Sequence, residues 1–556
     1  MRLKRSPELA HRRAVLTALT LFMSLFVMGW GLAWWRPAGD DSALWAWASS
    51  RWQAGLDASW CGRILLGYPL ADSGPMNLLY PPVRLLAWLW PEGLAQAFNG
   101  LHLAALGLGV YFLAREFGVR NRGALGAGLL AAATAPHSAG GTLIGGAAWL
   151  PWALLGLRRC ILLPRGPRGL ASAGLAGLAL GLLLSAGHLG LSLAALGVGA
   201  VGLLVWAGGE RPAQAITEKG LLGRLLLLAL LAALIASGRL AGLVRFQRQS
   251  TPVEPAPAAL SALPVPAPAQ APFSAAMSDS TAPAAPARVL GYGESALLRT
   301  AGQDLDAQLQ ALLSDNRGLV WGVDNARGRV GQGLARSSPF PLALDDRSPS
   351  ADPAAKALGS WGYWMDRASV RWLVSAEPLQ LAGLRLVRHE GVYLYERPQA
   401  MPLVRYAARI GVVGSAAAAA RSAARLPPQV SDLLEADAAP VPAAAEPGDR
   451  LQLMSRDDAE WRLRCGIPGP RLLVLSLAYY QGAWAAEVDG QAWALLPVDG
   501  QLCGLALPAG EHHVTVRYFD PYAEPGGQAQ RLGLWLVLPL FLLPWAQRWK
   551  RRKARG

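Results

Sequence analysis

The run LLGRLLLLALLAALIASG, residues 221–238, holds a single charge. A helix of about twenty such residues crosses a ~30 Å hydrocarbon core, and inside that core every backbone polar group must be satisfied within the element itself. Comparable runs occupy 14–35, 94–114, 123–136, 141–157, 169–186, 189–207 and 531–547. Across 556 residues, 53% are hydrophobic and only 16% charged, with a mean hydropathy of +0.25. A water-soluble chain of this length needs more charge to cover its surface. The composition therefore describes a polytopic membrane protein with a soluble portion, and it excludes a disordered chain, a collagen and a disulfide-rich module. The net charge of +15, from 52 Lys and Arg against 37 Asp and Glu, does not point to nucleic acid. The cations flank the apolar runs, which is the footprint of membrane topology.

Orientation follows from those cations. MRLKRSPELAHRR places the N-terminus in the cytoplasm and the run Ala14–Trp35 reads as an uncleaved anchor, because it is longer than a signal-peptide core and no small-residue cleavage site follows it. With about eight crossings both termini are cytoplasmic. Arg115, Arg120 and Arg122, then Arg158, Arg159, Arg165 and Arg168, then Arg211 and Lys219 all fall on the inside, as does the tail QRWKRRKARG.

The domain plan is then a membrane domain over 1–240, with about seven spans and a first external loop at 37–93. A proline-rich linker follows at 251–287, TPVEPAPAALSALPVPAPAQAP and beyond, whose prolines lack amide donors. Residues 288–412 mix strand patterns (VRWLVS, GVYLYE) with amphipathic pieces and read as an extracytoplasmic α+β domain. An Ala/Pro-rich linker at 413–447 separates it from 448–525, where strand-length runs punctuated by D-G turns predict a β-sandwich. The last span at 531–547 and a basic tail at 548–556 complete the chain.

No GxSxG, Walker A or HExxH motif is present, and the four cysteines make neither a disulfide framework nor a zinc site. Cys465 and Cys503 are expected as buried thiols, since Cys465 continues the period-two apolar face of Trp461 and Leu463; one extracytoplasmic bridge is the alternative. Asp489 and Asp499 precede glycine and read as hairpin turns. Trp484 and Tyr480 are expected to pack, with a carbohydrate-binding face as the alternative.

The chemistry concentrates in the first external loop, PAGDDSALWAWASSRWQAGLDASWCGRILLGYPLADSGPMNLLYPP. Asp40 and Asp41 stand at the exit of the first apolar run, where a carboxylate can deprotonate an acceptor hydroxyl or hold a divalent cation against phosphate. The loop's tryptophans suit interfacial anchoring, or stacking on a sugar face.

This loop, with SAGHLGLSLAALGVGAVGLL, the stretch Ala368–Pro402 (ASVRWLVSAEPLQLAGLRLVRHEGVYLYERPQAMP) and the stretch Leu472–Tyr518 (LLVLSLAYYQGAWAAEVDG through HHVTVRY), resembles the YfhO-like bacterial membrane proteins of the GT-C glycosyltransferase superfamily. Members carry a second block of membrane helices before the C-terminal span; here there is none, so the resemblance is to a shortened member. It implies a GT-C-like fold in the bacterial plasma membrane and transfer of a sugar from a polyprenyl-phosphate donor to an envelope glycan, lipid or protein, on the extracytoplasmic face. An acid of the first external loop would be central: Asp40, with Asp41 adjacent, and Asp72 as a second acid. His188 in the external turn, Arg239, Arg245 and Tyr80 are the candidates for substrate and phosphate. A divalent cation, Mg or Mn, is left open, and no nucleic acid is expected. The alternative is a non-catalytic carbohydrate-binding or lipid-linked-sugar assembly protein.

Overall fold

The computed structural model describes residues 41–73, 78–90, 93–163, 166–186, 219–252, 287–293, 361–435 and 444–553, with isolated residues between 193 and 201 and between 297 and 359. The chain divides into two compact units. One takes residues 73–244 and 522–556 together with the N-terminal 39 residues, and the other takes 40–72 and 245–521. The expected spans at 14–35 and, for most of its length, 189–207 lie outside the described residues.

The second unit opens with helix α1 (Asp41–Gln53); the helical unit holds α2 (Pro81–Leu89), α3 (Leu94–Glu116), α4 (Asn121–Ala147), α5 (Leu150–Leu162) and α6 (Pro167–Ser185). Helix α7 (Lys219–Arg248) is cut by the division, between Val244 and Arg245. Pro81, Pro151 and Pro167 each sit in a first turn, where a missing N–H costs nothing. Among the described residues the expected breaks differ clearly at one place: the spans 123–136 and 141–157 are instead α4 and α5. Backbone helix continues through Gly140 and Gly141, and the break comes at Trp149, just ahead of Pro151, because proline removes a helical donor whereas glycine only weakens the helix.

Four described helices are long and apolar enough to cross a membrane: Gln96–Glu116, Pro167–Ser185, Gly220–Leu240 and Ala523–Lys550. The last lies in helix α10 (Ala523–Lys553) and is only 11% buried. Trp535, Leu542 and Trp545 are all more than 60% exposed along it. An apolar surface of this size is one that lipid or another protein surface covers. Lipid adds no hydrophobic drive between helices, so they meet through small residues. A Cβ on Gly177 would lie 2.8 Å from that of Leu231, and one on Gly181 would lie 2.6 Å from that of Ile235, so α6 and α7 touch backbone to side chain.

The second unit is rich in strands. β1 (Ser250–Pro252) pairs with β3 (Gln332–Leu334). β2 (Arg288–Tyr292), β4 (Val370–Ser375), β5 (Arg385–Glu390) and β6 (Val392–Glu396) form a sheet in the order β2-β4-β6-β5, parallel only between β2 and β4, over a core that includes Val289, Leu312, Trp372 and Leu394. A short helix, α8 (Gly362–Arg367), precedes β4.

The Ala-rich stretch 413–447 is not a linker over most of its length. β7 (Val404–Tyr406), β8 (Ile410–Val413) and β9 (Asp432–Glu435) join a six-stranded sheet with β12 (Arg471–Ala478), β15 (Leu496–Val498) and β16 (Leu502–Leu507), in the order β7-β12-β16-β15-β9-β8. Between β8 and β9 the alanines form helix α9 (Ala416–Ala423), capped by Ser415 and seated by buried Ala419 and Ala423 on Leu433. The boundary expected at 412 therefore disappears: β7 pairs directly with β12. The second sheet runs β10-β11-β17-β13-β14, from β10 (Arg450–Arg456), β11 (Glu460–Ile467), β13 (Trp484–Val488), β14 (Gln491–Trp493) and β17 (Gly510–Tyr518), and is antiparallel throughout.

Asp489 and Asp499 hold φ of +52° ahead of Gly490 and Gly500, as expected of their turns. Asp499 has a further role. With Asp432 it faces Arg367 and Arg405 in a fully buried group of four charges, at 2.6–3.6 Å, tying α8, β7 and β9 to the β15–β16 turn. Cys465 on β11 and Cys503 on β16 are buried free thiols.

Replacing Gly181 by valine should separate α6 from α7 at an overpacking cost of about 1–3 kcal/mol. The expected result is a lower melting temperature in detergent, read by tryptophan fluorescence, with Gly223→Ala, where a Cβ meets nothing among the described residues, as the control.

Candidate functional site

The acid-rich loop is a folded layer of the strand-rich unit. Arg51, in the last turn of α1, is nearly buried and grips Asp457 with two N–H groups at 2.6 and 2.8 Å, Asp458 at 2.9 Å and the Asp57 carbonyl at 2.6 Å. The second oxygen of Asp458 accepts from the Gly62 amide at 3.1 Å, and Arg63 reaches Asp458 and Asp324, each at 3.4 Å. Arg456 pairs with the other oxygen of Asp324. Bidentate contact with Arg51 holds the Asp457 carboxyl below its usual range, whereas burial raises that of Asp458. These aspartates lie in the turn between β10 and β11.

Beyond Arg51 the loop inserts Trp60, fully buried, among aromatic rings of the strands. Trp484 meets it edge-on at 4.8 Å, Tyr518 lies at 5.2 Å and Tyr480 stacks at 6.2 Å. Gly67 crosses over the indole at φ +128°, and a Cβ there would stand 2.3 Å from the ring. Only glycine fits. Around it Cys61 and Tyr68 exchange backbone hydrogen bonds at 2.8 and 2.9 Å, and Leu66 accepts from the Ala478 amide at the end of β12 at 3.0 Å. Leu65 and Leu66 are both held at positive φ, 53° and 65°, a strained pair for branched side chains.

This folding carries Asp72 into the interior, where it has no exposure. One carboxylate oxygen accepts from Arg245 Nε at 2.8 Å and from its terminal nitrogen at 2.5 Å, and also from the Tyr480 hydroxyl at 2.7 Å. The other is buried with no hydrogen-bond partner among the described residues. Arg245 also meets Asp520 at 3.3 Å and the Tyr518 hydroxyl at 3.4 Å, with its guanidinium 5.2 Å from the centre of the Tyr480 ring. Burial pushes the Asp72 carboxyl up, and Asp520 adds to this, against the pull of Arg245 and Tyr480. Burial and the facing Asp72 carboxylate likewise raise the Tyr480 phenol.

Of the expected site residues, the structure joins Asp72 and Arg245, and joins them to each other. Asp72, expected to orient the acceptor or to join Asp40 around a metal, and Arg245, expected to meet phosphate, are here engaged with each other, and Arg245 is shared with Asp520. Asp41 is the first residue of α1; Asp40 and His188 lie outside the described residues. Arg239 and Tyr80 belong to the helical unit and serve packing there. Arg239 is buried and donates to the Ser185 carbonyl at the end of α6. Tyr80 is enclosed by His102 and Trp149: His102 Nδ1 bonds the Phe98 carbonyl at 2.6 Å and is therefore its donor, so Nε2 accepts from the Tyr80 hydroxyl at 2.7 Å, and the Trp149 indole N–H donates to Tyr80. The loop tryptophans described as buried, Trp45, Trp47 and Trp60, are packed inside, which removes them from both interfacial anchoring and sugar stacking. Tyr480 and Trp484 pack as expected.

Sequence reasoning missed Arg51, Asp457, Asp458 and Asp520. The only sequence signal was the acidic pair in SRDDAE, which reads as an ordinary turn. Among the described residues no group of three or more His, Cys, Asp and Glu side chains is placed to hold a metal ion. Compared with protein-family models, with curated proteins and with solved structures, the chain matches none.

Removing Arg245 should leave Asp72 buried and uncompensated, costing about 3–5 kcal/mol. Because the Asp72 carboxyl is raised in the folded chain, its contribution to stability is full below the ordinary aspartate range and is lost as pH rises from there through the raised, folded-state range. Arg245→Gln raises it further, so the fall in melting temperature should be larger at about pH 8 than at about pH 5, and Asp72→Asn in the same chain should recover part of it. A pH-independent loss with no recovery would refute the pairing.

Proposed function

We propose that this chain is a membrane glycosyltransferase of GT-C type, moving a sugar from a polyprenyl-phosphate carrier to an envelope glycan, lipid or protein. The observation that supports it most is the state of the first external loop. Residues 41–72 form a layer fixed by Arg51 and Trp60, and α1 begins at Asp41, directly after Asp40. A general base gains from such a mounting, since catalysis needs the group within a fraction of an ångström of its place. Asp40 is the proposed base, with Asp41 as its neighbour; it takes the acceptor's hydroxyl proton while the acceptor oxygen attacks the sugar's anomeric carbon and the lipid phosphate leaves as an anion. Asp72, Arg245 and Tyr480 hold the loop against the strands. His188 is the proposed partner of the phosphate, and a divalent cation beside it is compatible with the acids.

The same reading places about eight spans in the bacterial plasma membrane with both termini cytoplasmic, the strand-rich unit outside, and its two larger sheets stacked as a sandwich. A non-catalytic role in carbohydrate binding or in assembling lipid-linked sugars is the second reading. It is favoured by one observation: Asp72, an acid of the expected constellation, is wholly enclosed and already paired.

The test compares envelope glycans and polyprenyl-linked sugars by mass spectrometry in wild-type, Asp40→Asn and deletion cells. Transfer through Asp40 predicts that the variant, present at normal levels, loses the same sugar as the deletion while its lipid carrier accumulates, with activity down about 10²-fold or more. A deletion phenotype that Asp40→Asn does not share would support the second reading.

A further inference from the structure

At one end of the helical unit, α3, α5, α6 and α10 line an open cavity of about 420 Å³ whose lining includes Arg159, Arg168 and Arg548 together with Leu163, Leu175 and Phe541. Its polar rim is cationic in excess. The one acidic side chain there, Glu116, is already shared: Arg158 takes one oxygen at 2.6 Å and Arg159 takes the other at 2.6 and 2.9 Å. Arg168 and Arg548 make no ion pair among the described residues, and both are exposed. Four guanidiniums against one carboxylate leave a local surplus of three positive charges. Arg224 stands close by as well, donating to the Leu163 carbonyl at 2.5 Å.

Below these arginines the lining is apolar, and one of its residues also lines a second cavity. Phe541 lines both, and the second, of about 410 Å³, is bounded on α6 and α10 by Leu178, Leu534 and Leu538, with Arg531 at its far end. On α10 the two linings together extend from Arg548 back to Arg531, about 25 Å at 1.5 Å per residue, close to the thickness of a hydrocarbon core. A cationic mouth opening onto an apolar trough of membrane length fits an amphiphile carrying a negative head. Inorganic phosphate would leave the trough empty.

We propose that this groove binds an anionic phospholipid, with its phosphodiester between Arg168, Arg548 and Arg159 and an acyl chain along α6 and α10 past Phe541. The arginines lie at the end of the helices where basic loops gather, the side on which anionic headgroups attract such clusters. The site is independent of the glycosyltransferase reading: it lies in the helical unit and uses none of the residues assigned to transfer. Its consequence is architectural. Helix α10 is the least covered of the four candidate spans, and a lipid wedged against α6 supplies contacts the protein does not.

The full-length protein, stripped of lipid in detergent, is titrated with phosphatidylglycerol or with phosphatidylcholine of the same chains and read by native mass spectrometry. One phosphatidylglycerol should be retained in preference to phosphatidylcholine. Arg168→Gln with Arg548→Gln should weaken it roughly thirtyfold, from about 1 kcal/mol per cation at a lipid surface. Arg168→Lys with Arg548→Lys should retain most of the binding, which separates loss of charge from loss of fold. Replacing Lys550, Arg551, Arg552 and Lys553 with glutamine should leave binding unchanged. The proposal fails if the double glutamine variant binds as wild type, if the tail variant alone abolishes binding, if inorganic phosphate displaces the lipid, or if a polyprenyl phosphate displaces phosphatidylglycerol at equal concentration.

Discussion

The strand-rich unit depends on how the segment 41–72 is pinned into it. Arg51 is held by three aspartate oxygens and a carbonyl, and Trp60 fills a pocket of Tyr480, Trp484 and Tyr518. The two contacts act differently. The indole supplies apolar area, about 3–5 kcal/mol for a fully buried ring of this size. The guanidinium supplies direction, because a bidentate fork accepts a carboxylate in only one plane. Together they fix both the depth and the rotation of the loop, and Gly67, Leu65 and Leu66 take up the resulting backbone strain.

Buried charge recurs as a way of joining distant segments of this unit. Asp72 meets Arg245 across 173 residues. Arg367 meets Asp432 and Asp499, and Arg288 donates to the Ser476 side chain and carbonyl. Such pairs add little net stability relative to apolar packing, but losing one partner is costly. They therefore specify which segments meet. In a unit assembled from pieces hundreds of residues apart, that discrimination matters more than the small energy of any one pair.

The helical unit works by another rule. Its helices approach through Gly177, Gly181 and Gly156, and its remaining apolar surface is left uncovered, most of all on α10. Pro539 and Pro544 lie inside that helix, where neighbouring helices or lipid-side adjustments can take up the freed carbonyls. The two units are thus built differently: dense ion pairs and aromatic cores in one, small-residue contacts and apolar exteriors in the other.

The sequence by itself determined whatever depends on neighbours in the chain. Apolar runs of membrane length, the alternation that buries Trp461, Leu463 and Cys465, and the D-G turns at Asp489 and Asp499 are all local, and they were legible. Some local signals misled where a longer-range contact outweighed them: the alanines at 416–423 read as a spacer, yet Leu433 gives them a surface to pack on and they are a helix. The site was legible in its acids and not in its pairing. Asp72 and Arg245 stood out separately as candidates, but no spacing rule links residues 173 apart, and Arg51, Asp457 and Asp458 gave no sign of meeting. Only the tertiary structure decided that Asp72 is enclosed and paired with Arg245, because burial and ion pairing are properties of segments brought together by folding, with no trace in the residues on either side.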